Sequence, residues 1–278
     1  MKKNVLIIFS LAFVSSFLFT GCNKDNTKEE IDNDPASAMD NAQAERIFNN
    51  VSNIADQAYN SEKFYKSADD GDENILGNCA TITLDTSVYP RMLTVDFGEE
   101  NCLCGDGRYR RGKIIVSFTG RYREEGTMLT HTFDNYFVND NQVKGTRIVT
   151  NEGRNEDDNL YFTINVDGQI IKADGSGQIT WISNREREWI EGEDTYEWFD
   201  DVYLITGEGH GKTAAGRNYI VKITNPLRKE IGCRYFVSGT YEFTPEGIPT
   251  RIVDFGDGEC DKIITVTVNG VTVIINLP

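Results

Sequence analysis

Six cysteines, two histidines, three tryptophans and a surplus of carboxylates are the side chains that could do chemistry in this sequence. Two cysteines form a Cys102-x-Cys104 pair. Thiolates so placed could serve redox or metal chemistry. Zinc sites, however, use a longer spacer and commonly a histidine, and none is near in sequence. His131 lies between Leu129 and Phe133 on one apolar strand face, so its ring is expected to point inward. A hydrogen-bonded core histidine is the commoner outcome of that pattern. His210 falls in Gly207-Glu208-Gly209-His210-Gly211-Lys212-Thr213. That run is one residue short of a phosphate loop and precedes no helix, so it reads as a glycine-rich hairpin loop. Trp181, Trp189, Trp198 and Phe199 are close together. Exposed, they would form a ligand-binding platform for glycan or lipid; buried, they would form core, the more frequent fate.

The carboxylates are less specific. Asp69-Asp70-x-Asp72-x-Asn74, Glu156-Asp157-Asp158 and Asp254, Asp257 and Asp261 offer the hard oxygen ligands that Ca²⁺ takes. The first begins like an EF-hand loop, but Ile75 and Thr81 stand where that loop needs Gly and Glu. No cofactor or metal is expected beyond adventitious Ca²⁺. A glycosidase needs two carboxylates at a set separation, which 44 acids do not single out. Arg185-Glu186-Arg187-Glu188-Trp189 alternates charge along a strand, a pattern that suits cross-strand pairing or edge protection.

Strands must position most of these groups. Leu160, Phe162, Ile164 and Val166 alternate with polar neighbours, and Asp167-Gly168 then reads as a type I′ turn into Gln169-Ile170-Ile171. Ile264, Val266 and Val268 lead to Asn269-Gly270 and on to Val271, Val273 and Ile275, a second hairpin. Further strands are expected at 79–84, 91–97, 113–122, 128–138, 143–150, 177–189, 201–208, 217–225 and 234–243. The fold class is all-β: an antiparallel sandwich, open barrel or large curved sheet over residues 78–278. One amphipathic helical segment precedes it at 40–66. Its stripe is Ala44, Ile47, Val51, Ile54 and Ala58, and Asp40 is the expected cap. Residues 22–39 hold too little apolar area to fold and read as a tether.

An internal repeat relates 79–122 to 233–277. Val95-Asp96-Phe97-Gly98-x-x-x-Cys102 recurs as Val253-Asp254-Phe255-Gly256-x-x-x-Cys260, each preceded by a Cys and a Pro. A shared folding role explains this better than a duplicated binding site. Equivalent cysteines should make equivalent bonds, giving Cys79–Cys102 and Cys233–Cys260 and leaving Cys104, although Cys102 and Cys104 could exchange roles.

Composition excludes other classes. With 44 acids against 28 bases, a net charge of -16 does not suit phosphate backbones, so no nucleic acid is expected. Thirty aromatics (15 Phe, 12 Tyr and 3 Trp) are too many for a disordered chain. The one long apolar run, Val5–Phe19, follows Lys2 and Lys3 and ends at Thr20-Gly21-Cys22, the layout of a secretory signal over residues 1–21.

Phe19-Thr20-Gly21-Cys22 resembles a bacterial lipobox, with Phe19 where that family usually has Leu. The resemblance implies acylation of Cys22 and a membrane partner reached through that anchor. Asn23 does not match the inner-membrane retention signal of enteric lipoproteins. Lys24-Asp25 resembles the export tag of surface lipoproteins in Bacteroidota, which implies the outer membrane and surface exposure. Pro90-Arg91, Val95-Asp96-Phe97-Gly98, Asp106-Gly107-Arg108, Gly112-Lys113-Ile114, Thr180-Trp181, Arg187-x-Trp189 and Asp201-Val202-Tyr203 together resemble uncharacterised lipoproteins of that group. No catalytic role carries over. The expected protein is a lipid-anchored envelope module that binds a glycan, lipid or protein, or serves structurally. The alternatives are a surface hydrolase acting on a polymer and a carrier of lipid or other hydrophobic ligands in a half-open barrel.

Overall fold

The computed structural model describes residues 35–63, 75–195 and 200–277. Its helix α1 runs Pro35–Lys63. The strands are β1 (Thr81–Asp85), β2 (Arg91–Asp96), β3 (Cys102–Leu103), β4 (Tyr109–Phe118), β5 (Met128–Val138), β6 (Asn141–Arg154) and β7 (Leu160–Ile171). They continue as β8 (Gln178–Glu191), β9 (Val202–Lys212), β10 (Asn218–Glu230), β11 (Ser238–Pro245), β12 (Arg251–Asp257), β13 (Ile263–Val268) and β14 (Val271–Asn276). All belong to one antiparallel sheet in which neighbours in space are neighbours in sequence; only β3 leaves the path, pairing with β4. The sheet does not close into a barrel, which decides among the three architectures left open by the alternation of the sequence.

Alternation builds one apolar face. Along β7 the residues Leu160, Phe162, Ile164, Val166 and Ile170 are buried while their neighbours are more exposed. Helix α1 covers part of that face, with Ala44, Ile47, Phe48, Val51, Ile54, Ala55 and Ala58 buried in the same core as β4, β7 and β8. A helix of this length is held by such packing more than by its propensity. It starts at Pro35, five residues before the expected cap, because proline is tolerated in a first turn. Asp40 therefore docks the helix instead of capping it. Its carboxylate accepts from the Ala214 backbone N at 2.8 Å and faces Lys172 Nζ at 3.5 Å, while Gln43 Oε1 accepts from Lys172 at 2.7 Å.

Two turn expectations are corrected. Asp167-Gly168 is no turn; β7 continues through it, pairing Gly168 with Gly145 on β6 and Trp181 on β8. The reason is overhead. A Cβ on Gly168 would stand 2.2 Å from Cζ of Phe48, so the ring rests on bare backbone. Phe48 also stacks on Trp181 at 5.5 Å and meets Phe133 edge-on at 5.9 Å. The glycine-rich run at 207–213 is likewise not a loop: residues through Lys212 belong to β9, where Tyr219 lies over Gly211. Asn269-Gly270 does form its turn, with φ of 50° and 77° that match type I′.

The repeat has a local cause. Asp96 Oδ1 accepts from Gly98 N, and Asp254 Oδ1 accepts from Gly256 N, each at 2.9 Å. Both glycines have positive φ, so the copies are the same Asx turn, one just after β2 and the other inside β12 where its pairing with β11 shifts register. Disulfides Cys79–Cys102 and Cys233–Cys260 follow, with Cα separations of 5.6 and 5.7 Å. Cys104 is free and buried.

Candidate functional site

Polar groups flanking the apolar stripe of α1 meet basic side chains of the sheet. At β4 one arginine bridges the two elements. Arg110 is fully buried, donates twice to Asp106 at 2.6 Å and once to Asn50 Oδ1 at 2.8 Å, and so clamps α1 to the sheet. Burial, the largest influence on Asp106, raises its pKa, but hydrogen bonds and charge from Arg110 outweigh it and hold the carboxyl below its usual range.

At β5, β6 and β8 the meeting is incomplete. A half-open cavity lies there, lined by Ser52 and Asp56 of α1, Leu129 and His131 of β5, Arg147 and Val149 of β6, Arg187 of β8, and Tyr122. It has room for about one water-sized group. Asp56 is exposed, so the cavity opens on that side. Arg147 is 3% exposed. Its Nε, the Nε of Arg187 and the Oγ of Ser52 have no hydrogen-bond partner among the described residues.

The surrounding sequence explains how these groups converge. Along β8 the residues Ile179, Trp181 and Ser183 are buried, and the period of two carries Arg185 and Arg187 to the same face. Arg187 lies over the rings of Tyr203 at 4.8 Å and Phe162 at 5.2 Å, and donates to the Tyr122 hydroxyl. Cations settle readily on aromatic faces. Strand β8 is flanked by β7 and β9, so edge protection is not the purpose of its charges. Tyr122 belongs to the loop between β4 and β5. Asn151, 1% exposed, holds that loop by donating to the Tyr122 carbonyl at 2.9 Å, and the Tyr122 ring stacks on Phe162 at 4.8 Å.

Electrostatics follow from burial. His131 donates from Nδ1 to the Arg147 carbonyl, 3.2 Å away; an N–H is required because the carbonyl only accepts. Burial, then the Arg147 charge, lowers its pKa to about 3, so the ring is neutral and Nε2 is an acceptor. Burial lowers the pKa of Arg147 to about 10, with Arg187 adding to the effect and Asp56 opposing it. Loss of solvent around the Asp56 carboxyl, in a residue that keeps an exposed edge, raises its pKa despite the attraction of Arg187 and Arg147. Glu45 behaves similarly opposite Arg185.

Of the residues singled out in the sequence, His131 lines the cavity. Trp181 and Trp189 form no surface platform, being 3% and 4% exposed. Trp181 packs on Phe48, and Trp189 donates from Nε1 to the Glu191 carbonyl under the Arg123 guanidinium. Both went inward because β8 is central in the sheet. Trp198, Phe199, Cys22 and the acidic run at 69–74 lie outside the described residues. Asp254 and Asp261 accept from backbone N–H groups of their own turns. Among the described residues no three His, Cys, Asp or Glu side chains converge to hold a metal. Sequence reasoning missed Ser52, Asp56, Tyr122 and Arg147. The available signal was two inward arginines on β8 and the polar flank of the helix.

These features define an open antiparallel sheet covered in part by one helix, with a cation-rich cavity at their junction. No protein-family model matches the chain, and no curated protein or solved structure shows significant similarity to it.

Proposed function

We propose that this chain is a lipid-anchored binding module of the bacterial cell envelope, held at the outer membrane by acyl chains on Cys22. The observation that carries the binding reading is the cavity between α1 and the sheet, lined by Arg147, Arg187 and Ser52, each with a donor that no described residue satisfies. Buried polar groups are normally paired, so such donors mark a place for another molecule. The lipobox-like Phe19-Thr20-Gly21-Cys22 supports the anchor. Two disulfides agree with an oxidising compartment. A glycan, a lipid or a protein is the partner class.

Two measurements test this reading. Changing Cys22→Ser should move the protein from the membrane to the soluble fraction and remove the acyl mass; retention at the membrane would sink the anchor. Native mass spectrometry of protein drawn gently from its own host should show a retained adduct, and a bare mass would count against the binding role.

A surface hydrolase is the second reading, favoured by one fact: Asp56 and His131 line the same cavity. Against it, an imidazole with a pKa near 3 is a weak base at neutral pH. Turnover of an envelope polymer that disappears in His131→Gln would favour the hydrolase. The carrier reading has less support, because the apolar stripe of α1 packs directly into the core of the sheet.

A further inference from the structure

The cavity has a charge and a size, and together they narrow what it takes. Its lining carries two guanidiniums, Arg147 and Arg187, against one carboxylate, Asp56. Asp56 attracts both cations without a hydrogen bond to either. The other ionisable groups of the lining add no negative charge at neutral pH. His131 is neutral, and burial keeps the Tyr122 phenol protonated. Asp201 also attracts Arg187, but it lies outside the lining and accepts from the Tyr203 hydroxyl at 3.1 Å. The lining itself carries one more cation than anion, and its Arg147 is 97% buried.

The hydrogen-bond inventory points the same way. Arg147 Nε, Arg187 Nε and Ser52 Oγ have unspent hydrogens. The Tyr122 hydroxyl accepts from Arg187, so its own hydrogen is free to donate. Acceptors are fewer: the Nε2 of His131, and Asp56 on the open side. A donor-rich, net-positive cavity sized for one small group selects an acceptor that carries charge.

We infer that the cavity formed by Ser52, Tyr122, His131, Arg147 and Arg187 binds one small monovalent anion, either free in solution or as the carboxylate of a larger ligand entering past Asp56. The inference rests on the binding reading above and specifies its chemistry. It needs no covalent step. The anion bridges α1 to β6 and β8, as Arg110 bridges α1 to β4 at the other end through Asn50.

The test is thermal unfolding of the mature full-length protein in detergent, titrated separately with chloride, formate and glucuronate, alongside Arg147→Gln. Chloride and formate should raise the Tm of the native protein by several degrees and saturate, whereas Arg147→Gln should show only the general salt response. A matching response to glucuronate assigns the site to the carboxylate of a larger ligand; its absence assigns it to free small anions. If Arg147→Gln does not fold, the ³⁵Cl linewidth of chloride with the native protein decides, since bound chloride broadens the signal and formate should narrow it again. No saturable rise with any of the three, and no formate-sensitive broadening, overturns the proposal. Neither result depends on the Cys22 fractionation or on the host-derived adduct, so failure here is distinguishable from failure of the anchored binding reading.

Discussion

Phe48 and Gly168 form a lock whose strength can be worked out in advance. Phe48 is fully buried, rests on Gly168 and stacks on Trp181. Phe48→Ala should cost about 3–5 kcal/mol through lost contacts and the cavity left behind. Gly168→Ala places a Cβ 2.2 Å from the ring carbon Cζ, where ordinary contact begins at 3.4 Å. The ring must retreat by roughly 1.2 Å, and overpacking of that kind costs about 1–3 kcal/mol. In the Phe48→Ala background the new methyl meets no ring. There it should be neutral or slightly stabilising, because glycine in a strand interior is itself unfavourable by about 0.5–1 kcal/mol. The double variant should therefore be about 1–4 kcal/mol more stable than the sum of the single changes implies. Urea unfolding of the four proteins, followed by tryptophan fluorescence and analysed with a common m value, measures this coupling. Singles that add to within about 0.5 kcal/mol of the double would refute the idea that β7 carries glycine there to seat Phe48.

Other outcomes follow from the same structure. Arg110→Ala removes the two shortest hydrogen bonds to Asp106, leaving it Arg108 alone, and should cost about 2–3 kcal/mol by chemical denaturation. His131, with a pKa near 3 folded against 6.5 unfolded, contributes stability that is full above pH 6.5 and declines as pH falls toward 3. Between pH 6.5 and 5 the loss should be about 2 kcal/mol, and His131→Gln should flatten that part of the stability profile. Unfolded, unreduced protein carrying Cys22→Ser should titrate one thiol, that of Cys104; three would contradict the two bridges. Ile274→Lys, at a side chain 71% exposed on the terminal strand, should change stability by less than about 0.5 kcal/mol while lowering light scattering at high concentration.

Elements whose cause is local were legible in the sequence. The helix stripe from Ala44 to Ala58, the turn at Asn269-Gly270, and the paired Asx turns after Val95 and Val253 each depend on residues within a few positions. The cysteine pairing followed from the repeat. What was not legible depends on partners far along the chain. Asp167-Gly168 has the composition of a turn, and only Phe48, 120 residues earlier, explains why it stays in a strand. The alternation of Arg185 to Glu188 separates two faces, but does not say which face the helix covers. The cavity combines Ser52 and Asp56 with Tyr122, Arg147 and Arg187, and no spacing rule joins residues from a helix, a loop and two strands.

The order of the sheet bears on how the chain assembles. Every strand on the main path hydrogen-bonds to its immediate neighbours in that path, so each hairpin can close as soon as its second strand exists. The helix obeys a different clock. Asp40 is satisfied by the amide of Ala214, 174 residues later, and Phe48 by Gly168 and Trp181. In a chain delivered from its amino terminus, the earliest described element is among the last to find its place. Until β7 and β8 have formed, its apolar stripe is exposed, and whatever keeps the nascent chain from sticking must act on that stretch.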